Sequence, residues 1–154
     1  MLANFLPLSV LCGKEIPMTR GIEPILYQKK EVACVYRRTI AVSGIRFLTA
    51  PNNTFQIGIH DRKKPIKLPA HIHNCPKPLA IAEIQEVLFV IRGKIRVTMV
   101  SDSNTVIAKK LLSAGAAILL NSHAHSVEFL GNARIFEIKQ GPSPGDAHAK
   151  HYLS

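Results

Sequence analysis

Three residues in the middle of the chain are of types that bind metal ions: His71 and His73, two positions apart, and Glu86, with twelve residues between it and His73. Side chains on an extended segment alternate faces with a period of two, so imidazoles at i and i+2 share one wall. Glu86 heads the run Val87-Leu88-Phe89-Val90-Ile91, which reads as a strand covered on both faces. A carboxylate at the head of such a strand is partly desolvated, which calls for a neighbouring cation or for a carboxyl kept protonated. A divalent ion held by neutral imidazoles and this carboxylate meets that requirement.

The elements that must position these groups come from a chain of 154 residues, long enough for one domain to bury roughly 70% of its unfolded surface without staples. Its hydrophobic content of 47%, with ten prolines and nine glycines, is that of a globular protein rather than a disordered one. No run approaches the ~18 apolar residues needed to span a bilayer as a helix. Twenty Lys and Arg against ten Asp and Glu give a formal charge of +10. The basic residues are scattered as doublets, Lys29-Lys30, Arg37-Arg38, Lys63-Lys64 and Lys109-Lys110, without an arginine-rich tract, interleaved aromatics or zinc-finger spacing. Such a surface argues against specific nucleic-acid binding and for attraction of small anions. Cys12, Cys34 and Cys75 form no CxxC pair, and an odd number is poor material for a disulfide framework, so a reducing, cytoplasmic setting is expected.

Residues 1–13 are similar to a short signal-peptide apolar region but lack the preceding positive charges, and they are read as a tail that translation from Met18 would remove. From Ile22 onward the pattern is strand-like and short-ranged, with no helical period held over eleven residues. Strands are predicted at Cys34–Tyr36, Ile45–Leu48, Phe55–His60 and Ile66–His73. Arg92-Gly93 predicts a two-residue hairpin, followed by a strand with Ile95, Val97 and Met99 inward. Further turns at 101–104, 113–115 and Gly131-Asn132 separate strands at 106–112, 116–120, one carrying His125, Val127 and Phe129 on one face, and 134–139. Short strands at this spacing predict an all-β sandwich or barrel.

The series His71-x-His73, Glu86-x6-Gly93, Gly115, His125 resembles the two metal motifs of the cupin superfamily, small jelly-roll β-barrels. The Glu-to-Gly spacing matches, whereas the twelve-residue loop before Glu86 is longer than the usual three or four, and Asn121-Ser122-His123 replaces a Pro-x-Gly turn. Gly44–Thr49, Pro69–His73, Gln85–Phe89, Gly93–Val97, Ile118–Leu120 and Glu137–Pro142 further resemble a group of small bacterial cupins, metalloproteins associated with surface-polysaccharide or modified-sugar pathways. That likeness covers about residues 44 to 146. His123 stands where those proteins carry glycine, and the ending His148-Ala149-Lys150-His151 differs from theirs. The implied organisation is a tail at 1–20, a cupin barrel at 21–142 and a C-terminal tail at 143–154.

The resemblance implies His71, His73, Glu86 and His125 as ligands of one divalent transition metal. Three imidazoles and a carboxylate suit Fe, Mn, Ni or Zn, and on an octahedral ion they leave two positions for an anionic or carbohydrate-related small molecule. Two function classes follow: a metal enzyme of isomerisation, epimerisation, hydrolysis or oxygen-dependent chemistry, with His123 as its acid–base group, and a non-catalytic sensor or structural cupin. A homodimer is expected, with no membrane partner. Each residue also has a plainer role: His71 and His73 as a surface pair, Glu86 in an ion pair, His125 as a turn cap, His123 as a loop histidine, and Asp102 and Glu128 facing water. His60 and Cys75 are weaker ligand candidates.

Overall fold

The structure is a computed structural model that describes residues 20–71, 73 and 83–141, together with the backbone of a hairpin at 8–11 and 14–17. Cys12, Met18, Cys75 and the 143–154 tail lie outside the described residues. Among those described, every regular element is a β-strand and no helix is long and apolar enough to cross a membrane. The chain forms two compact units, one from Met1–Ile40 with Ile84–Ser154 and the other from Ala41–Glu83.

The first unit opens with β1 (Leu8–Leu11) paired to β2 (Lys14–Pro17), where the sequence reading placed a tail. Its main body has two antiparallel sheets. One holds five strands in the order β12-β7-β10-β4-β3, namely Arg134–Lys139, Glu86–Arg92, Ala117–Leu120, Lys30–Tyr36 and Ile22–Tyr27. The other holds three, in the order β11-β8-β9: Ala124–Phe129, Lys94–Val100 and Val106–Ser113. β3 escaped the sequence reading because it contains Pro24, which cannot donate to a ladder. It is tolerated because β3 is an edge strand.

Both sheets contribute to one core. Val35, Leu88, Val90, Ile118 and Leu120 come from the first and Ile95, Val97, Met99 and Leu112 from the second, all fully or almost fully buried. The alternation predicted for residues 94–99 is therefore observed, and the arrangement is consistent with a β-sandwich. The outer face of β7 is less covered than its sequence suggests. Phe89 and Ile91 are exposed there, next to Phe136 and Ile138 of β12.

Gly93 is not the hairpin that the sequence predicts. β7 and β8 lie in different sheets, and Gly93 is the corner between them. Its φ is +76°, and a Cβ there would sit 2.6 Å from the Asn132 carbonyl oxygen. Only glycine fits such a crossing. Gly115 and Gly131, also at positive φ, mark the two other crossings at this end, where Ala114 N–H donates to Gly93 O and Gly115 N–H to Val90 O. At the opposite end the Asn121–His123 loop carries the chain from β10 to β11.

Charge ties the sheets together as well. Glu23 on β3 accepts from Arg37 Nε at 2.8 Å and from Lys110 Nζ on β9 at 3.2 Å, while Arg37 Nη1 donates to Leu111 O at 2.7 Å. The Arg37 hydrogen bond, aided by Lys110 and opposed by burial, holds the Glu23 carboxyl below its ordinary range.

The second unit contains the hairpin of β5 (Gly44–Phe47) and β6 (Gly58–Asp61), shorter than predicted at its second strand. The strand expected at Ile66–His73 is not formed. Residues 66–71 and 73 carry no strand and are exposed. Pro65 and Pro69 remove amide donors from this stretch, which deprives a ladder of alternate bonds.

Candidate metal centre

In the second unit, His71 and His73 come together without the strand that was expected to align them. Their Nε2 atoms are 3.2 Å apart, and the rings meet edge to face with centroids 4.8 Å apart. His71 Nδ1 lies 2.9 Å from Pro69 O. A carbonyl only accepts, so this contact puts the His71 proton on Nδ1 and leaves Nε2 with its lone pair. Metal-bound histidines have this arrangement, the distal N–H given to a carbonyl while the other nitrogen faces the ion. With metal–nitrogen bonds of about 2.0–2.1 Å, two ligands at octahedral or tetrahedral angles lie about 2.9–3.4 Å apart. The observed separation falls inside that window, and it is also that of a hydrogen bond in which His73 Nε2–H donates to His71 Nε2, a proton that an ion would have to displace.

In the first unit, Glu86 and His125 form a second pair. Glu86 stands opposite Leu120 and Lys139 in register, on the core-facing side of β7. His125 stands opposite the buried Met99. Each side chain thus points from its own sheet into the space between the sheets, and His125 Nε2 reaches 3.7 Å from Glu86 Oε1. That exceeds a hydrogen bond and is short enough for both atoms to touch one ion. The Glu86 side chain is only 14% exposed, as its place at the head of the apolar run predicts.

A bulge in β4 fixes the approach of His125. Ile25 pairs with Ala33 and Leu26 with Glu31, so Val32 is the extra residue. The freed Val32 carbonyl accepts from Asn121 N–H at 2.9 Å and Ser122 N–H at 3.3 Å, anchoring the loop that leads into β11. His123 follows with φ +63°, a conformation that favours glycine, at the position where the cupin resemblance expects glycine. Its Nδ1–H donates to Asp102 Oδ1 at 3.0 Å, and its ring meets Tyr27 edge-on with centroids 5.3 Å apart. Asp102 is exposed as expected, but it is also the partner that orients His123, which spacing in sequence did not reveal. Glu128 is exposed and pairs with Arg96.

On the sheet ends beside this loop, Gln85 Nε2 donates to Asn121 Oδ1 at 3.2 Å and Asn121 Nδ2 to Glu31 Oε1 at 3.4 Å. Burial pushes the Glu31 carboxyl up and the Cys34 thiol up to about 12, which makes Cys34 an inert packing residue rather than a ligand. His60 is exposed on β6.

The four residues implied as ligands therefore occur as two pairs, one in each unit. Among the described residues no group of three or more His, Cys, Asp or Glu side chains is assembled that could hold a metal ion. Each pair has the donors such an ion needs, imidazole nitrogens with and without a carboxylate oxygen, and so fits the role by chemistry. Compared with family models, curated proteins and solved structures, the chain gives no match.

Proposed function

We propose that this chain is a metal-binding protein with a jelly-roll barrel of the cupin type, and that it holds a small anionic or carbohydrate-related molecule at a divalent first-row ion. Its candidate ligands are the His71–His73 pair of the second unit and the Glu86–His125 pair of the first. The observation that carries the reading is the 3.2 Å separation of the His71 and His73 Nε2 atoms, with the His71 tautomer set by Pro69 O. The way Glu86 and His125 face one another from opposite sheets supports it. With one carboxylate among its ligands, a divalent ion keeps a net positive charge and attracts an oxygen anion. His123, oriented by Asp102, supplies an imidazole whose Nε2 is left to accept a proton. A cytoplasmic homodimer belongs to the same reading, supported by the free, buried Cys34 and by the exposed Phe89, Ile91, Phe136 and Ile138.

The test is titration of the chelator-stripped chain with Mn, Fe, Ni and Zn, followed by melting temperature. An ion that binds only the folded state stabilises it by about 2.7 kcal/mol at a hundredfold excess over Kd. A rise in melting temperature that saturates at one equivalent is expected with at least one of these ions. No rise with any of the four contradicts the reading.

A further inference from the structure

The second unit carries a feature that the metal reading does not use. Where β5 begins and β6 ends, a hollow of about 390 Å³ is lined by Ser43, Gly44, Asp61, Arg62, Lys63, Lys64, Pro65 and Ile66. Three consecutive cationic side chains stand on its wall, and among the described residues none of them takes part in an ion pair or a hydrogen bond. The unit is basic as a whole, with six Lys and Arg against two acidic residues over Ala41–Glu83. Gly44 has φ +81°, and the nearest atom to a Cβ there is Arg62 Nη1 at 3.9 Å, so the guanidinium lies against a rim that has no side chain to block it.

From these observations we infer that the hollow is a binding site for a phosphate-bearing ligand, with Arg62, Lys63 and Lys64 as its phosphate contacts. Three cations against the one Asp61 carboxylate leave this open hollow with an excess of positive charge, which attracts an anion. Arg62 supplies a planar fork that matches two phosphate oxygens, and the lysines supply point charges. Pro65 and Ile66 give an apolar surface for the remainder of the ligand, while the Ser43 hydroxyl and the Asp61 carboxylate suit its hydroxyl groups. The volume is within the range of about 300–1,000 Å³ typical of small-molecule sites. A soluble phosphorylated metabolite and a phospholipid headgroup share this chemistry.

The experiment is calorimetric titration of the full, chelator-treated chain with inorganic pyrophosphate at physiological salt, so that a bound metal plays no part. Saturable one-site binding with Kd below about 1 mM is expected. The triple variant Arg62→Ala/Lys63→Ala/Lys64→Ala should weaken it at least tenfold, and the single charge reversal Lys64→Glu should act in the same direction. A control triple variant, Lys29→Ala/Lys30→Ala/Lys109→Ala, removes equal charge from the other unit and should stay within twofold of the parent. Binding of pyrophosphate without co-sedimentation on phosphatidic acid vesicles assigns a soluble ligand, and co-sedimentation that pyrophosphate competes away assigns a headgroup. Absence of pyrophosphate binding overturns the inference, as does an equal loss in both triple variants, which would show general surface charge alone.

Discussion

Glu86 and His125 face each other from the two sheets of the first unit, with His125 Nε2 3.7 Å from Glu86 Oε1. One residue opens β7 and the other lies near the start of β11, so sheet packing rather than local sequence brings them together. Their neighbours in register, Leu120 and Met99, are core residues, and both polar groups therefore sit at the edge of an apolar interior.

Glu86→Gln keeps the shape and removes the charge. It should abolish most of the metal-dependent rise in melting temperature while leaving the melting temperature of the chelated protein nearly unchanged. Thermal melts with and without chelator check both parts. A full metal response in the variant would remove Glu86 from the ligand set.

His71→Ala and His73→Ala should each weaken metal affinity more than about tenfold, since loss of an outer-shell partner alone costs roughly 10- to 100-fold. Competition with a chromogenic chelator measures this directly. Parent-like affinity in both variants would reduce the pair to an exposed surface contact.

Most of the strands after Glu86 were legible in the sequence because their inward positions alternate cleanly, as in Ile95, Val97 and Met99. The connections were not. Gly93 has the same local signature whether the chain reverses within a sheet or turns a corner between two, and only the partners of β7 and β8 decide. The alignment of His71 and His73 was anticipated, but through a strand that Pro65 and Pro69 prevent. The carbonyl of Pro69 was beyond reach of sequence reasoning, because backbone geometry places it. Asp102 was overlooked as a partner of His123 because twenty residues separate the two in the chain.

Gly93→Ala should be among the most destabilising single substitutions. It combines a positive φ of 76° with a Cβ 2.6 Å from Asn132 O and 2.7 Å from Ala133 Cα, both backbone atoms. Strain and overpacking together predict a loss of about 3 kcal/mol, measurable by urea unfolding. Gly131→Ala has the same sign of φ but nothing within 4 Å of the added Cβ, and it should cost less.

Glu23 and Glu31 should affect acid stability with opposite sign. Arg37 holds the Glu23 carboxyl low in the folded state, so its contribution is present above the unfolded carboxyl range and is lost as pH falls through the lowered folded value. Burial raises Glu31, so its contribution is present below the unfolded value and is lost as pH rises through the raised folded one. Glu31→Gln should therefore raise the melting temperature at pH 7–8, with the advantage disappearing below the ordinary carboxyl value of 4.5. A pH-independent difference would show that charge burial is not its cause.

The most direct measurement is elemental analysis of the full chain purified without added metal, repeated after exposure to excess Mn, Fe, Ni or Zn and removal of the unbound ion. Bound transition metal is predicted, reduced on substitution within the His71–His73 pair or within the Glu86–His125 pair. A chain that carries no metal as purified and takes up none on exposure would contradict the account.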